Sequence, residues 1–249
     1  MNAVLEVRNL QKYFGGLHAT RNLSMSLPQG ELHAVIGPNG AGKTTLITQL
    51  FGEIRPTSGT VLVNGRDVTS RPPHERVRLG MARSFQITTL VRDLSVGENV
   101  ILALLAREGH AFRFWRRIDR NMDLRTRAAQ ALARIGLDGM DMSRRVADLS
   151  HGEQRMLELA IALVGDPALA LLDEPMAGLG SEESRAMTRF LSGLKGRITI
   201  LLVEHDMEAV FALADRVTVL VSGEIIAVGT PDEIRNDSRV RDAYLGEDA

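Results

Sequence analysis

Short β-branched or apolar runs alternate along the chain with longer amphipathic stretches, the pattern of an α/β protein with a largely parallel sheet. The runs predict strands at Val4 to Val7, Leu32 to Ile36, Thr60 to Val63, Leu169 to Leu172, Ile198 to Val203, Val217 to Val221 and Ile225 to Val228. Leu5 and Val7 alternate with Glu6 and Arg8, which suits an edge strand. By contrast, Ile198-Thr199-Ile200-Leu201-Leu202-Val203 is nearly continuous, as expected for a strand covered on both faces. From about Ser95 to Asp166 the pattern is helical. Ser95 with Glu98 three residues on reads as a capping box. Leu124, Ala128, Ala131, Leu132 and Ile135 mark one face of a second helix over about Asp123 to Ile135, stopped by Gly136. The expected organisation is one domain: an α/β core from residues 1–94 and 167–249, and a helical subdomain inserted over about 95–166. Short helices close the chain from about Asp232.

Charge narrows the function more than the fold. The 30 basic side chains balance 31 acidic ones, which leaves no overall basic field for gripping a nucleic-acid backbone. The absence of cysteine excludes disulfides, thiolate zinc sites and cysteine nucleophiles. The six histidines are scattered, and none pairs at helical metal-ligand spacing. The longest apolar stretches, Val100 to Ala106 and Ile198 to Val203, fall far short of the ~20 residues of a membrane-spanning helix. Met1 to Glu6 lacks a basic and then apolar leader, so a cytoplasmic location is expected. The segment Phe112-Arg113-Phe114-Trp115-Arg116-Arg117 reads either as a solvated excursion of the helical lobe or as a contact with a membrane surface or membrane subunit.

Candidate chemistry begins where the second predicted strand ends. Val35-Ile36 leads into Gly37-Pro38-Asn39-Gly40-Ala41-Gly42-Lys43-Thr44-Thr45 and then the apolar helix start Leu46-Ile47, the strand, loop and helix context that G-x-x-x-x-G-K-[ST] requires. Glycines let successive N–H groups curl around a phosphate, and a helix N-terminus adds positive potential for a polyanion. Lys43 would bridge the β- and γ-phosphates of a bound nucleotide, and the Thr44 hydroxyl would ligate Mg2+. Further on, Ala168-Leu169-Ala170-Leu171-Leu172 delivers Asp173-Glu174-Pro175 to the carboxyl end of a strand, where ligands sit in open α/β sheets. Asp173 would hold Mg2+ through water, and Glu174 would polarise the attacking water as general base.

With Asp173 130 positions after Lys43, room for a helical lobe, the sequence resembles the nucleotide-binding subunits of ABC transporters. Leu149-Ser150-His151-Gly152-Glu153-Gln154 is similar to the family signature, Ser84-Phe85-Gln86 to its Q-loop, and Val203-Glu204-His205-Asp206 to its switch-histidine loop. Phe14 matches the aromatic that stacks on adenine, with Tyr13 as second choice. The resemblance implies a P-loop NTPase core, with a mixed, largely parallel sheet and an antiparallel edge subdomain, plus an inserted α-helical subdomain. It also implies ATP held between two ATPase subunits. In that arrangement Lys43, Mg2+ and the phosphate loop would cover one side of the γ-phosphate, and the signature residues Ser150, Gly152 and Glu153 of the second subunit would cover the other. Gln86 would sense Mg2+ and water, and His205 would fix the γ-phosphate with Glu174. Three positions depart from the family pattern: His151 and Glu153 stand where many members have Gly and Gln, and Gly180, in the D-loop Met176-Ala177-Gly178-Leu179-Gly180, stands where the family usually has an Asp or Asn that contacts the partner's phosphate loop.

Phe14-Gly15-Gly16-Leu17, Ala82-Arg83-Ser84-Phe85-Gln86, Glu204-His205-Asp206-Met207 and the ending Ala227-Val228-Gly229-Thr230-Pro231-Asp232-Glu233-Ile234 are similar to the ATPases of branched-chain amino acid importers. That resemblance implies an assembly of this chain with a second ATPase (copy or paralogue), two membrane permease subunits and, indirectly, a binding protein. The chain would lie on the cytoplasmic face of the membrane, with force passed through the region from Gln86 to Leu94. Relatives of this type also serve urea, amides and aromatic acids. The ATPase of lipopolysaccharide export is similar too and would reverse the direction of transport. A soluble ABC ATPase acting on nucleic acid or ribosomes is a weaker match, because the tandem domains, coiled-coil insertions or basic linkers it brings are missing.

Overall fold

The computed structural model describes residues 3–84, 90–107 and 122–245. The chain divides into two compact units, the first made of Met1–Arg83, Ala168–Glu174 and Lys195–Ala249, the second of Ser84–Pro167 and Pro175–Leu194. The helical insertion expected at 95–166 thus begins earlier, straight after the strand ending at Arg83. It also takes in the segment after Glu174, whose helix packs on the one that follows the signature sequence.

The first unit carries two sheets. One is antiparallel, in the order β2 (Leu17–Pro28), β1 (Ala3–Phe14), β4 (Ser58–Val63), β5 (Arg66–Asp67). β1 is therefore an inner strand, paired on both sides, and not the edge that its alternation suggested. Alternation reports one-sided burial, which inner strands of a one-face-covered sheet share. β2 escaped the sequence reading because its core residues Leu23, Met25 and Leu27 are diluted by polar neighbours at every second position.

The second sheet has the order β10 (Glu224–Gly229), β9 (Arg216–Val221), β3 (Leu32–Ile36), β8 (Thr199–Val203), β7 (Leu169–Asp173), β6 (Met81–Arg83). It is parallel except for β10, which returns antiparallel beside β9. Every residue of β3, β7 and β8 is buried, which accounts for their unbroken apolar sequences. Helix α1 (Lys43–Phe51) shares one core with both sheets: its Leu46, Ile47 and Leu50 join Leu5 and Leu23 from one and Val35 and Leu171 from the other.

The far end of α1 is held by a buried arginine. Arg76, in α2 (Pro73–Arg78), donates to the carbonyls of Gln49 and Leu50 in the last turn of α1 and to those of Thr69 and Arg71. Burial pushes its guanidinium pKa down to about 10, and the four carbonyls offset that desolvation with charge-assisted hydrogen bonds.

The second unit is helical: α3 (Val96–Arg107), α4 (Met122–Arg134), α5 (His151–Leu163) and α6 (Ser181–Ser192). The capping box opening α3 is formed, with the Ser95 N–H on Glu98 at 2.7 Å and the Glu98 N–H on the Ser95 hydroxyl at 3.2 Å. α4 buries Leu124, Ala128, Ala131 and Leu132, the face expected from their spacing. The Phe112 to Arg117 segment lies outside the described residues. Among the described residues no helix is long and apolar enough to cross a membrane. In the first unit the chain closes through α7 (Met207–Leu213), α8 (Pro231–Asn236) and α9 (Ser238–Val240).

Candidate functional site

The loop between β3 and α1 is shaped by glycines with no room for a side chain. Gly37 has φ 150°, and a Cβ there would fall 1.9 Å from the Leu220 carbonyl oxygen. Gly42 has φ 102° and faces the Ala19 carbonyl in the same way, at 2.4 Å. The β9–β10 turn, with Ser222 and Gly223 both left-handed, braces this loop: the Gly223 N–H donates to Ala41 at 2.9 Å, and the Arg21 N–H donates to Gly223 at 2.7 Å. Helix α1 has no side-chain cap and no acidic residue in its first turn, so its positive end is left for an anion.

A cleft of about 440 Å3 opens here, lined by Asn39 to Thr45, by Leu17, His18 and Arg21 of β2, and by Glu174 and Ser222. That size suits a nucleotide-sized ligand. Lys43 is buried and donates to the carbonyls of Gly37 at 2.5 Å and Pro38 at 3.1 Å. Burial lowers its pKa, while the charges of Glu174 and Asp173 work the other way.

The two carboxylates at the end of β7 sit in different surroundings. Asp173 is 1% exposed; burial raises its pKa, opposed by Arg83, whose guanidinium lies 3.3 Å from Oδ2. Arg83 also pairs with Glu53 at 2.5 Å. Glu174 has φ 48°, a left-handed conformation uncommon for a side chain of its size, and its N–H donates to Val203 at 2.9 Å. The reversal at this residue puts its carboxylate in the cleft, 4.0 Å from His205 Nδ1. His205 follows β8 and is 60% exposed, with buried Glu204 3.8 Å from the same nitrogen.

Of the two aromatics, Tyr13 stacks on His18 at 3.9 Å between ring centroids, and Phe14 lies under the Lys12 ammonium at 5.0 Å. Both are half exposed at the hairpin tip joining β1 to β2, and His18 carries Tyr13's stack to the cleft wall. Gln86 lies outside the described residues.

The signature residues belong to the second unit. Ser150 caps α5 in a capping box with Glu153, and Arg144 grips both oxygens of Glu153 at 2.6 and 3.0 Å. That bidentate bond, with the Ser150 N–H, lowers the Glu153 pKa and gives the departure from Gln a local reason. The Gly152 N–H donates to Glu183 of α6 at 3.0 Å. Sequence reading assigned no role to His18, Arg21, Arg83, Glu183 or Ser222. Only Arg83 carried a signal, through its place in the Ala82 to Gln86 stretch; the others are united by tertiary structure alone.

Phosphate loop, paired carboxylates and parallel sheet together define a P-loop nucleotide hydrolase with an attached helical unit. The ABC transporter family model matches residues 20–177, and that of the branched-chain amino acid ATP-binding cassette transporters matches 224–249. The high-affinity branched-chain amino acid transport ATP-binding protein LivG of Salmonella typhimurium is 39% identical over 98% of both chains. The corresponding BraF protein of Pseudomonas aeruginosa is 34% identical, again over 98% of each. Among solved structures, the ADP conformation of an ATP-binding cassette of an ABC transporter aligns with a TM-score of 0.86 at 28% identity, covering 99% of this chain and all of that one. The chain belongs to the ABC transporter ATPases, in the group of branched-chain amino acid transport ATP-binding proteins.

Proposed function

We propose that this ATPase energises import of branched-chain amino acids through separate membrane permease subunits, working at the cytoplasmic face of the membrane. The observation that carries the mechanism is that Lys43 and Glu174 line one cleft beside an uncapped helix N-terminus, with His205 Nδ1 4.0 Å from the Glu174 carboxylate. The phosphate loop and Lys43 bind the phosphates of ATP, with Lys43 exchanging the Gly37 and Pro38 carbonyls for phosphate oxygens. Glu174 accepts the proton of the attacking water, and His205 orients Glu174 and the γ-phosphate. Thr44 and Asp173 offer the hard oxygen donors that suit Mg2+, with Gln86 as a further ligand. Bound there, Mg2+ neutralises charge on the β- and γ-phosphates.

In this reading one subunit holds half a site, and Ser150 and Gly152 of a second ATPase complete it. Full-chain similarity to the LivG and BraF proteins favours import over lipopolysaccharide export and over a soluble nucleic-acid role. The test is to tag the Glu174→Gln variant in its native cells, solubilise membranes with ATP present and identify co-purifying chains by mass spectrometry. Two polytopic membrane proteins and a second ATPase are expected. Uptake of labelled leucine, isoleucine and valine should fall on deletion of the gene and return with the wild type but not with Glu174→Gln. Recovery only with ribosomes or nucleic acid would overturn the transport role, and unchanged uptake would overturn the cargo.

A further inference from the structure

The second unit contains a contact that the nucleotide cleft does not use. Glu183, in the first turn of α6, reaches two loops with one carboxylate. Oε1 accepts from the Gly152 N–H at 3.0 Å, and Oε2 accepts from the Gly180 N–H at 3.3 Å. Gly152 is the second residue of α5, so its N–H is a donor the helix cannot satisfy internally, and the positive helix end favours an anion there. The fit is close. Gly152 is buried, and a Cβ on it would fall 2.6 Å from both Cδ and Oε1 of Glu183.

We infer that Glu183 is a positioning residue that holds the signature loop by standing in for a phosphate. Its carboxylate yields the Gly152 N–H when the γ-phosphate of a partner subunit's ATP arrives. This rests on the two-subunit reading above, in which that N–H is offered across the dimer. Carboxylate and γ-phosphate are both oxyanions seeking one donor, and like charges brought together there repel. Because the same side chain also ties down Gly180, its release frees the D-loop together with the signature loop. The two segments that the family resemblance assigns to the partner contact are thereby set to move as one.

The test uses the full chain carrying Glu174→Gln, titrated with ATP and Mg2+, with dimer formation followed by sedimentation velocity. Glu183→Gln, which keeps an accepting oxygen but loses the charge, and Glu183→Ala are added on that background. Both should reach half-maximal dimer at less ATP: Glu183→Ala at roughly ten- to hundredfold less, the worth of one charge-assisted bond no longer displaced, and Glu183→Gln at roughly three- to tenfold less, because only the charge is lost. A residue that only braces the fold would shift the titration the other way, so equal or higher ATP demand overturns the inference while a dimer in the parent upholds the two-subunit reading. No dimer in the parent overturns both. Thermal unfolding reads the contact separately: Gly152→Ala should destabilise the parent and do so much less beside Glu183→Ala. An undiminished loss would mean the contact is not made in solution.

Discussion

Glu174 combines two properties rarely found in one residue, a left-handed backbone and a carboxylate in a ligand cleft. The conformation costs roughly 1–2 kcal/mol for a residue with a Cβ, a strain that persists at functional sites where the surroundings over-determine it. Here those surroundings are the Val203 carbonyl, which holds the Glu174 N–H, and the β7–β8 pairing beneath it. Glu174→Gln keeps shape and backbone and removes the proposed base. ATP binding should persist while phosphate release slows by about 10²- to 10⁴-fold, and ordinary turnover would remove Glu174 from its role. For Lys43, burial lowers the pKa, so the cation an ATP phosphate needs is lost on the alkaline side before the ordinary lysine value of 10.5. ATP affinity should weaken as pH rises toward that value, and Lys43→Ala should bind poorly at every pH; fluorescent-nucleotide titrations across the range check both. The adenine platform is read the same way. Phe14→Ala is expected to lower ATP affinity more than Tyr13→Ala does, and the reverse order would assign the platform to the Tyr13–His18 stack.

At the scale of elements, the phosphate loop is clamped at both ends of α1. The near end is braced by the β9–β10 turn, and the far end by Arg76, whose four carbonyl partners have no other cation at hand among the hydrogen bonds described. Replacing Arg76 by Ala removes the charged donor from the buried Gln49 and Leu50 carbonyls and from the half-buried ones of Thr69 and Arg71, leaving Gln49 only the Gly52 N–H, at about 3 kcal/mol, or about 10 °C in Tm for a chain of this size. Calorimetry on the apo protein measures it, and a shift below about 2 °C would mean that water takes over the bonds. None of this was legible in the sequence, where Arg76 is one of many arginines. Legibility followed local physics. β3, β7 and β8 announced themselves through unbroken apolar runs, the phosphate loop through its glycine spacing, which the structure explains at Gly37 and Gly42 by the lack of space for a Cβ, and α3 through its capping box. What stayed hidden depends on strangers in sequence meeting in space: the inner place of β1, the Arg83–Asp173 pair and the grip of Glu183 on Gly152.

For the whole molecule, the two-subunit reading makes activity a question of concentration. The first unit supplies phosphate loop, carboxylates and histidine, while Ser150 and Gly152 belong to the second unit and, in the two-subunit reading, serve another chain's nucleotide. A C2 arrangement of such subunits forms two composite sites at once, and a lone subunit forms none. Turnover per chain should therefore rise with protein concentration, steeply where dimer is scarce, and level off once dimer dominates. In the same reading Gly180 bears on how firmly the two sites are linked. Its backbone (φ −70°, ψ 166°) accepts any residue and nothing lies within 4 Å of its absent Cβ, so the family's Asp fits there without strain. Phosphate release measured over a wide range of enzyme concentration decides the matter, with Gly180→Asp run beside the wild type. Turnover per chain independent of concentration would mean that one subunit completes its own site. A steep rise that Gly180→Asp carries to lower concentration would locate the weak point of the partnership in the missing D-loop side chain.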